Sequence, residues 1–221
     1  MQIGYFVKKY RSKADISVSA NSLRARLGID NFYSFNIVRT VREKMIGKDF
    51  PIIGTMKLKL FNDAENPDDK AFITYEETSF TLNVHEEIWE LAEMGEPESR
   101  YIIAHELGHI VMHNDYKREF SPITAYNKSF ITDEQHSEWQ ANTFAGHFLA
   151  PAKFLSNKTT PEDLARQFDF PLAYANDYLT TKSVPNRRYI GEACTDCANF
   201  TLVRCGTSLT CDTCGATSGS G

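Results

Sequence analysis

The sequence of 221 residues predicts an α+β fold in which a small antiparallel sheet is embedded in a helix-rich domain and a short cysteine tail follows. Three observations lead there. Apolar residues alternate with period two in several stretches between residues 52 and 84, and they recur at helical spacing on either side. All five cysteines fall between Cys194 and Cys214. Hydrophobic residues at 42% and charged residues at 24% are the balance of an ordinary globular protein, enough for one core with a small satellite module.

From Ser17 to about Gly47 the pattern predicts two short helices. Leu23, Leu27 and Ile29 mark the first, and Phe35, Ile37, Val38, Val41, Met45 and Ile46 mark the second. Pro51 breaks this pattern. Residues 52–61 (IIGTMKLKLF), 72–75 (FITY) and 80–84 (FTLNV) alternate as strands, the last two joined by a polar turn around Glu76 to Ser79. Pro97, with Glu96 and Glu98 beside it, is a helix-start signal, and Ile102, Ile103, Leu107, Ile110 and Val111 carry the helix to His113. A second long helix is expected from about Asp133 to Leu149, stopped by Pro151, and another begins at Thr160, Pro161 and Glu162. The resulting division is a main domain over residues 1–184, a linker over 185–193 and a tail over 194–221.

A net charge of −5 and a pI near 5.7 argue against a general electrostatic grip on nucleic acid, which needs Lys and Arg against phosphates, and leave room only for a local basic patch. The N-terminal MQIGYFVKKYRSK has the wrong order for a signal peptide, and no apolar run is long enough to span a bilayer. A cytoplasmic protein without a membrane segment is expected.

The chemistry concentrates in the helix of residues 97–113. His105 and His109 are four positions apart, so both imidazoles lie on one face and can reach one metal ion. A hydrolytic zinc takes three protein ligands and a water, and Glu106 stands where a base for that water is needed. HExxH is short enough to occur by chance on a surface helix. Interleaving with Ile102, Ile103, Leu107 and Ile110 argues otherwise, because imidazoles buried without partners are costly. Gly108 costs roughly 1 kcal/mol of helix propensity relative to Ala, which fits a close approach by another element. For the third ligand, SEWQANTFAGHFLAP offers Glu138 and His147, with His136 just before it. Glu138 is the best of these, since a carboxylate on a helix carrying Trp139, Ala141, Phe144, Ala145, Phe148 and Leu149 requires a cation.

HELGHIVMH followed by ExxANxFAxxFLxP resembles the ImmA/IrrE family of metallopeptidases over roughly residues 20–182. The resemblance implies a zincin-like metallopeptidase fold of the gluzincin type, with His105, His109 and Glu138 as ligands of a catalytic zinc and Glu106 as the catalytic acid/base. It further implies a short helical pair in TPEDLARQFDFPLAYANDYL, pairing of an extended substrate along FTLNV, and cleavage of helix-turn-helix repressors encoded on mobile elements or in stress loci. His113 reads as a helix cap or a support for the ligands, and His147 and His136 as structural or exposed groups. Tyr116 and Tyr126 are candidates for stabilising the developing oxyanion.

In the tail, Cys194, Cys197, Cys211 and Cys214 form two CxxC pairs around a strand, a Cys205-Gly206 turn and a second strand. This is the pattern of a zinc ribbon holding one structural Zn2+, and a tail so short has too little core to fold unaided. Cys205 is left over. TLVRCGTSLTCDTCGATSGSG is similar to the C-terminal zinc-binding tail of B12-dependent ribonucleotide reductases, with Cys205 and Ser208 departing from that pattern. A shared ribbon is implied, without reductase activity.

The sequence therefore favours a zinc endopeptidase of narrow specificity, hydrolysing a peptide bond through a metal-activated water, with a helix-turn-helix repressor as protein substrate. Two competing readings are a non-proteolytic zinc-containing interaction or antitoxin-type module, and a regulator that meets nucleic acid through the ribbon. The presence of Glu106 weighs against the former, since a purely structural site needs no base.

Overall fold

A computed structural model describes residues 5–6, 11–50, 54–76, 78–113, 121–122, 137–181, 202–205, 208–211 and 217–218. Two compact units emerge, Met1–Lys182 and Ser183–Gly221.

In the first unit a two-residue strand β1 (Tyr5–Phe6) precedes helix α1 (Lys13–Arg26). The helix starts earlier than the apolar spacing predicts, because Ser12 and Asp15 form a reciprocal cap. The Asp15 amide donates to Ser12 Oγ at 3.2 Å, and the Ser12 amide donates to Asp15 Oδ2 at 3.0 Å. Helix α2 (Ile37–Lys44) is capped by Asn36 and buries Ile37, Val38 and Val41.

Strands β2 (Asp49–Phe50), β3 (Gly54–Phe61), β4 (Ala71–Tyr75) and β5 (Ser79–His85) make one sheet in the order β2-β3-β5-β4. All three expected strands form, but the sheet is mixed rather than antiparallel: β3 and β5 run parallel. Phe61 at the end of β3 faces His85 at the end of β5, while Ala71 at the start of β4 faces Val84. The connector over 62–70 thus crosses the end of β5 and returns along its other side, where the Lys70 carbonyl accepts from the His85 amide at 2.9 Å. Consequently FTLNV is a central strand and β4 is the edge strand beside it, which corrects the expectation that FTLNV would receive substrate. Burial explains the placement, for Phe80, Leu82, Asn83 and Val84 are all buried and need neighbours on both sides. Gly54 has φ +88°, and a Cβ there would run into the Thr78 carbonyl, so β3 can begin beside the β4–β5 turn only with glycine.

Helix α3 (Glu86–Glu93) has no counterpart among the sequence expectations. His85 caps it by accepting from the Glu87 amide, and Trp89 and Ala92 anchor it. Helix α4 (Pro97–Met112) follows, with Glu96 accepting from the Ser99 amide at 2.6 Å and Pro97 in its first turn. A two-residue strand β6 (Ser121–Pro122) pairs with β1. Helix α5 (Ser137–Leu149) packs along α4, and a short 3-10 turn (Ala152–Phe154) follows the stop at Pro151. Helices α6 (Pro161–Phe168) and α7 (Leu172–Thr181) are the helical pair the family resemblance implies, the former opened by a Thr160–Asp163 capping box.

The core lies between the sheet and the helices. Ile103, Ala104, Leu107 and Ile110 of α4 meet Phe144, Ala145 and Phe148 of α5 within it. Two buried arginines tie turns to this core. Arg24 donates to the Phe148 carbonyl at 2.6 Å and the Ile29 carbonyl at 2.8 Å, and Arg100 donates to the carbonyls of Phe168, Asp169 and Phe35 at 3.0, 2.8 and 3.1 Å. Burial lowers the pKa of both, yet Arg24 at about 10 remains a cation at neutral pH.

In the second unit β7 (Leu202–Cys205), β8 (Ser208–Cys211) and β9 (Thr217–Ser218) form an antiparallel sheet in that order. Leu202 faces Cys211 and Cys205 faces Ser208. The two strands expected of a ribbon are present, and their connecting turn lies outside the described residues.

Candidate metal centre

Helix geometry brings His105 and His109 onto one face of α4, and the crossing of α5 brings Glu138 opposite them. The two Nε2 atoms are 3.0 Å apart; Glu138 Oε2 is 3.3 Å from that of His105, and Oε1 is 3.5 Å from that of His109. Among the described residues these three form the cluster able to hold a metal ion. Ligand atoms about 2.0–2.2 Å from a tetrahedral zinc sit about 3.4 Å from one another, so the donor spacing fits such an ion without rearrangement.

The close crossing depends on Gly108. A Cβ at that position would lie 3.0 Å from both Cα and O of Ala141 and 3.2 Å from Cβ of Phe144. These contacts are the close approach that a glycine inside the motif had implied.

Both imidazoles of the cluster are held at their second nitrogen. His105 Nδ1 meets Asn142 Oδ1 at 2.8 Å, and His109 Nδ1 meets His113 Nδ1 at 3.0 Å. Such contacts orient an imidazole and leave Nε2 for a metal. His113 thus holds the His109 ring as well as capping α4. Neither Asn142 nor Gln140, which meets His113 Nε2 at 3.0 Å, was singled out in the sequence. The four-residue spacing from Glu138 was the available signal for Asn142, because it places the two on one face of α5.

Electrostatics mark the cluster as a place for positive charge. Burial works against a charged Glu138, but hydrogen bonds and charge from His105 and His109 prevail and hold its carboxyl well below the usual range. Burial likewise works against the His105 imidazolium, and contacts with Glu138, Glu106 and Asn142 outweigh it and raise its pKa. In a cluster that gathers protons around a carboxylate, a divalent cation can replace those protons. Glu106 is only 7% exposed; burial pushes its carboxyl up, against the lowering influence of His109 and His105. It is the group suited to take up a proton.

A cleft of about 630 Å³ opens onto the cluster. His105, Glu106, Glu138 and Asn142 line it together with residues 68–71 at the entry to β4 and with Tyr101 and Tyr174. Those two rings stack at 4.3 Å, and Tyr101 donates to the Asn142 carbonyl at 3.1 Å. Tyr116, Tyr126 and His136 lie outside the described residues.

His147 stands apart from the cluster, buried against Tyr178 at 3.1 Å, a structural position. Cys194, Cys197 and Cys214 lie outside the described residues, and Cys211 and Cys205 are placed only as backbone in β8 and β7.

A family model described as the IrrE N-terminal-like domain, a peptidase family, matches residues 60–173, just over half of the chain. That interval contains the sheet from the end of β3, helices α3 to α6 and the whole His105–His109–Glu138 cluster. A separate 31-residue segment is 64% identical to the vitamin B12-dependent ribonucleotide reductases of Bradyrhizobium diazoefficiens and Agrobacterium fabrum. It makes up 14% of this chain and spans only 2% of either reductase.

Proposed function

The chain belongs to the peptidase family of the IrrE N-terminal-like domain, and from that membership we propose that it is a zinc-dependent endopeptidase whose ligands are His105, His109 and Glu138. The observation that carries the proposal is the convergence of these three donors beside a buried Glu106 that lines an open cleft.

When bound, zinc supplies Lewis acidity and lowers the pKa of a coordinated water to about 7. The protein supplies the remainder. Glu106 takes the proton from the attacking water and delivers it to the leaving amide nitrogen, a transfer favoured by the burial that raises its pKa. Asn142 and His113 fix the two imidazoles. Among the described residues the outer edge of β4 pairs with no strand. Its first residue, Ala71, lines the cleft, so an extended peptide can add to that edge while crossing the cluster.

The substrate in this reading is a regulatory protein of the helix-turn-helix class, supported by the family resemblance of HELGHIVMH and the α5 segment. The tail is a zinc ribbon in which Cys194, Cys197, Cys211 and Cys214 hold a second, structural ion. Supporting this are the paired CxxC spacing, the β7–β8 pairing and the short likeness to the reductases.

Glu106→Gln tests the proposal. The variant should keep its metal and lose cleavage by about 10²–10⁴-fold, the usual contribution of a positioned acid/base. N-terminal proteomics of cells carrying the parent or the variant should reveal new chain termini in a DNA-binding regulator with the parent alone. Identical termini in both cultures would remove proteolysis as the function.

A further inference from the structure

His109 and His113 are one turn apart on α4 with their Nδ1 atoms at 3.0 Å, and His113 Nε2 lies 3.0 Å from Gln140 Oε1 on α5. His113 is 3% exposed and Gln140 0%. Two neutral imidazoles facing each other through Nδ1 share one hydrogen, so the chain of contacts has a direction. In one direction His113 donates through Nε2–H to the Gln140 carbonyl oxygen, its Nδ1 accepts from His109 Nδ1–H, and His109 Nε2 keeps its lone pair. In the other the Gln140 amide turns to donate, every bond reverses, and the hydrogen ends on His109 Nε2. Only the first direction permits His109 to bind a metal ion through the nitrogen that faces His105 and Glu138.

We propose that His113 and Gln140 are positioning residues, a buried relay that holds His109 as the Nδ1–H tautomer when the Gln140 oxygen faces His113 Nε2, as it does here. The proposal rests on the metal site assigned above. It gives α5 two roles at one centre, a ligand in Glu138 and, two residues later, the polarity of a ligand on the neighbouring helix. His105 has a simpler support, a single contact with Asn142 at the cleft wall. His113 and Gln140 are both buried and do not line that cleft. Loss of the relay leaves the half-buried His109 imidazole free to rotate or to take the wrong tautomer, which weakens metal binding without touching the donors.

Cobalt(II) titration of the full-length chain carrying Cys194→Ser and Cys197→Ser tests the relay, because thiolate-bound cobalt has strong d–d bands of its own that would overlie the weaker ones of a nitrogen/oxygen site. His113→Phe and Gln140→Met should each weaken cobalt and competing zinc by about 10–100-fold, as loss of an outer-sphere partner does. Gln140→Glu, which offers acceptors alone, should stay near the parental affinity or exceed it. Unchanged affinity in either His113→Phe or Gln140→Met overturns the proposal. So does loss in Gln140→Glu equal to that in Gln140→Met while both apo-proteins keep the parental near-UV circular dichroism. Should a variant fail to fold, ¹⁵N shifts of His109 in the zinc-loaded parent decide: Nδ1 protonated and Nε2 metal-bound supports the relay, and the reverse refutes it. His109→Ala separates the two levels of inference. If the d–d bands persist in that variant, the metal site itself is misassigned and the relay falls with it; if they vanish, the outcome for His113 and Gln140 concerns the relay alone.

Discussion

His147 is held neutral by its surroundings, and its proton balance sets a pH dependence. Tyr178 gives its hydroxyl hydrogen to the Ala150 carbonyl at 2.5 Å, so its oxygen accepts from His147 Nδ1–H at 3.1 Å. Burial, with the charge of Lys13 in addition, lowers the imidazole pKa from 6.5 to about 4. The unfolded chain therefore takes up a proton below pH 6.5 that the folded chain refuses until about pH 4. Stability should fall as pH drops through this window and level off beneath it, by at most about 3 kcal/mol. His147→Gln keeps a donor for Tyr178 and removes the titration. Urea midpoints at pH 7 and pH 5 should differ less in the variant than in the parent, and equal differences would exclude His147 as the source. At this same scale the site is legible in the sequence only as far as its donors. His105, Glu106 and His109 are given by helical spacing and Glu138 by the cost of a carboxylate among Phe144, Phe148 and Leu149. The roles of Asn142, Gln140 and Tyr174 are not, because each depends on how two helices cross rather than on the order of residues in either.

Between elements, the crossing of α4 and α5 is the feature that brings Glu138 against His105 and His109. Gly108→Ala gains about 1 kcal/mol of helix propensity in isolation. In the protein its methyl meets Ala141 backbone atoms at 3.0 Å, which cannot yield by changing a rotamer. Overpacking of this kind costs about 1–3 kcal/mol, so the net effect is a loss of stability together with a wider separation of Glu138 from the two imidazoles. Thermal unfolding of the metal-free variant and its zinc affinity should both fall; an apo-protein more stable than the parent would show that the helices can part without strain. Helices α4 and α6 were readable because Pro97, the Thr160–Asp163 cap and the apolar spacing agree with one another. Helix α3 was not, since EEIWELAE is short and its apolar residues follow directly on a strand. The order of the sheet was hidden for another reason. Alternation reports which face of a strand is buried, not which neighbour it takes, and the parallel pairing of β3 with β5 arises from the path of the connector over 62–70.

For the whole chain, metal should act on the two units separately. An ion bound only by the folded state at 100 times its dissociation constant adds about 2.7 kcal/mol. In a unit the size of Met1–Lys182 this corresponds to a rise of about 5–10 °C in unfolding temperature. Chelation should therefore lower the main unfolding transition by that amount in the parent and leave it unmoved in His105→Ala. The segment Ser183–Gly221 is too small to assemble a sufficient core, so the order of β7, β8 and β9 should depend on its own ion. Metal analysis should find two zinc ions per parent chain, one after Cys194→Ser with Cys197→Ser, and one after His105→Ala with His109→Ala. In the cysteine variant the β-sheet amide protection of residues 202–205 and 208–211 should vanish while the chelator-sensitive transition of the main unit persists. A single zinc ion in the parent, lost on changing the cysteines and kept on changing the histidines, would move the metal from the cleft to the tail and leave Glu106 without a cation to serve.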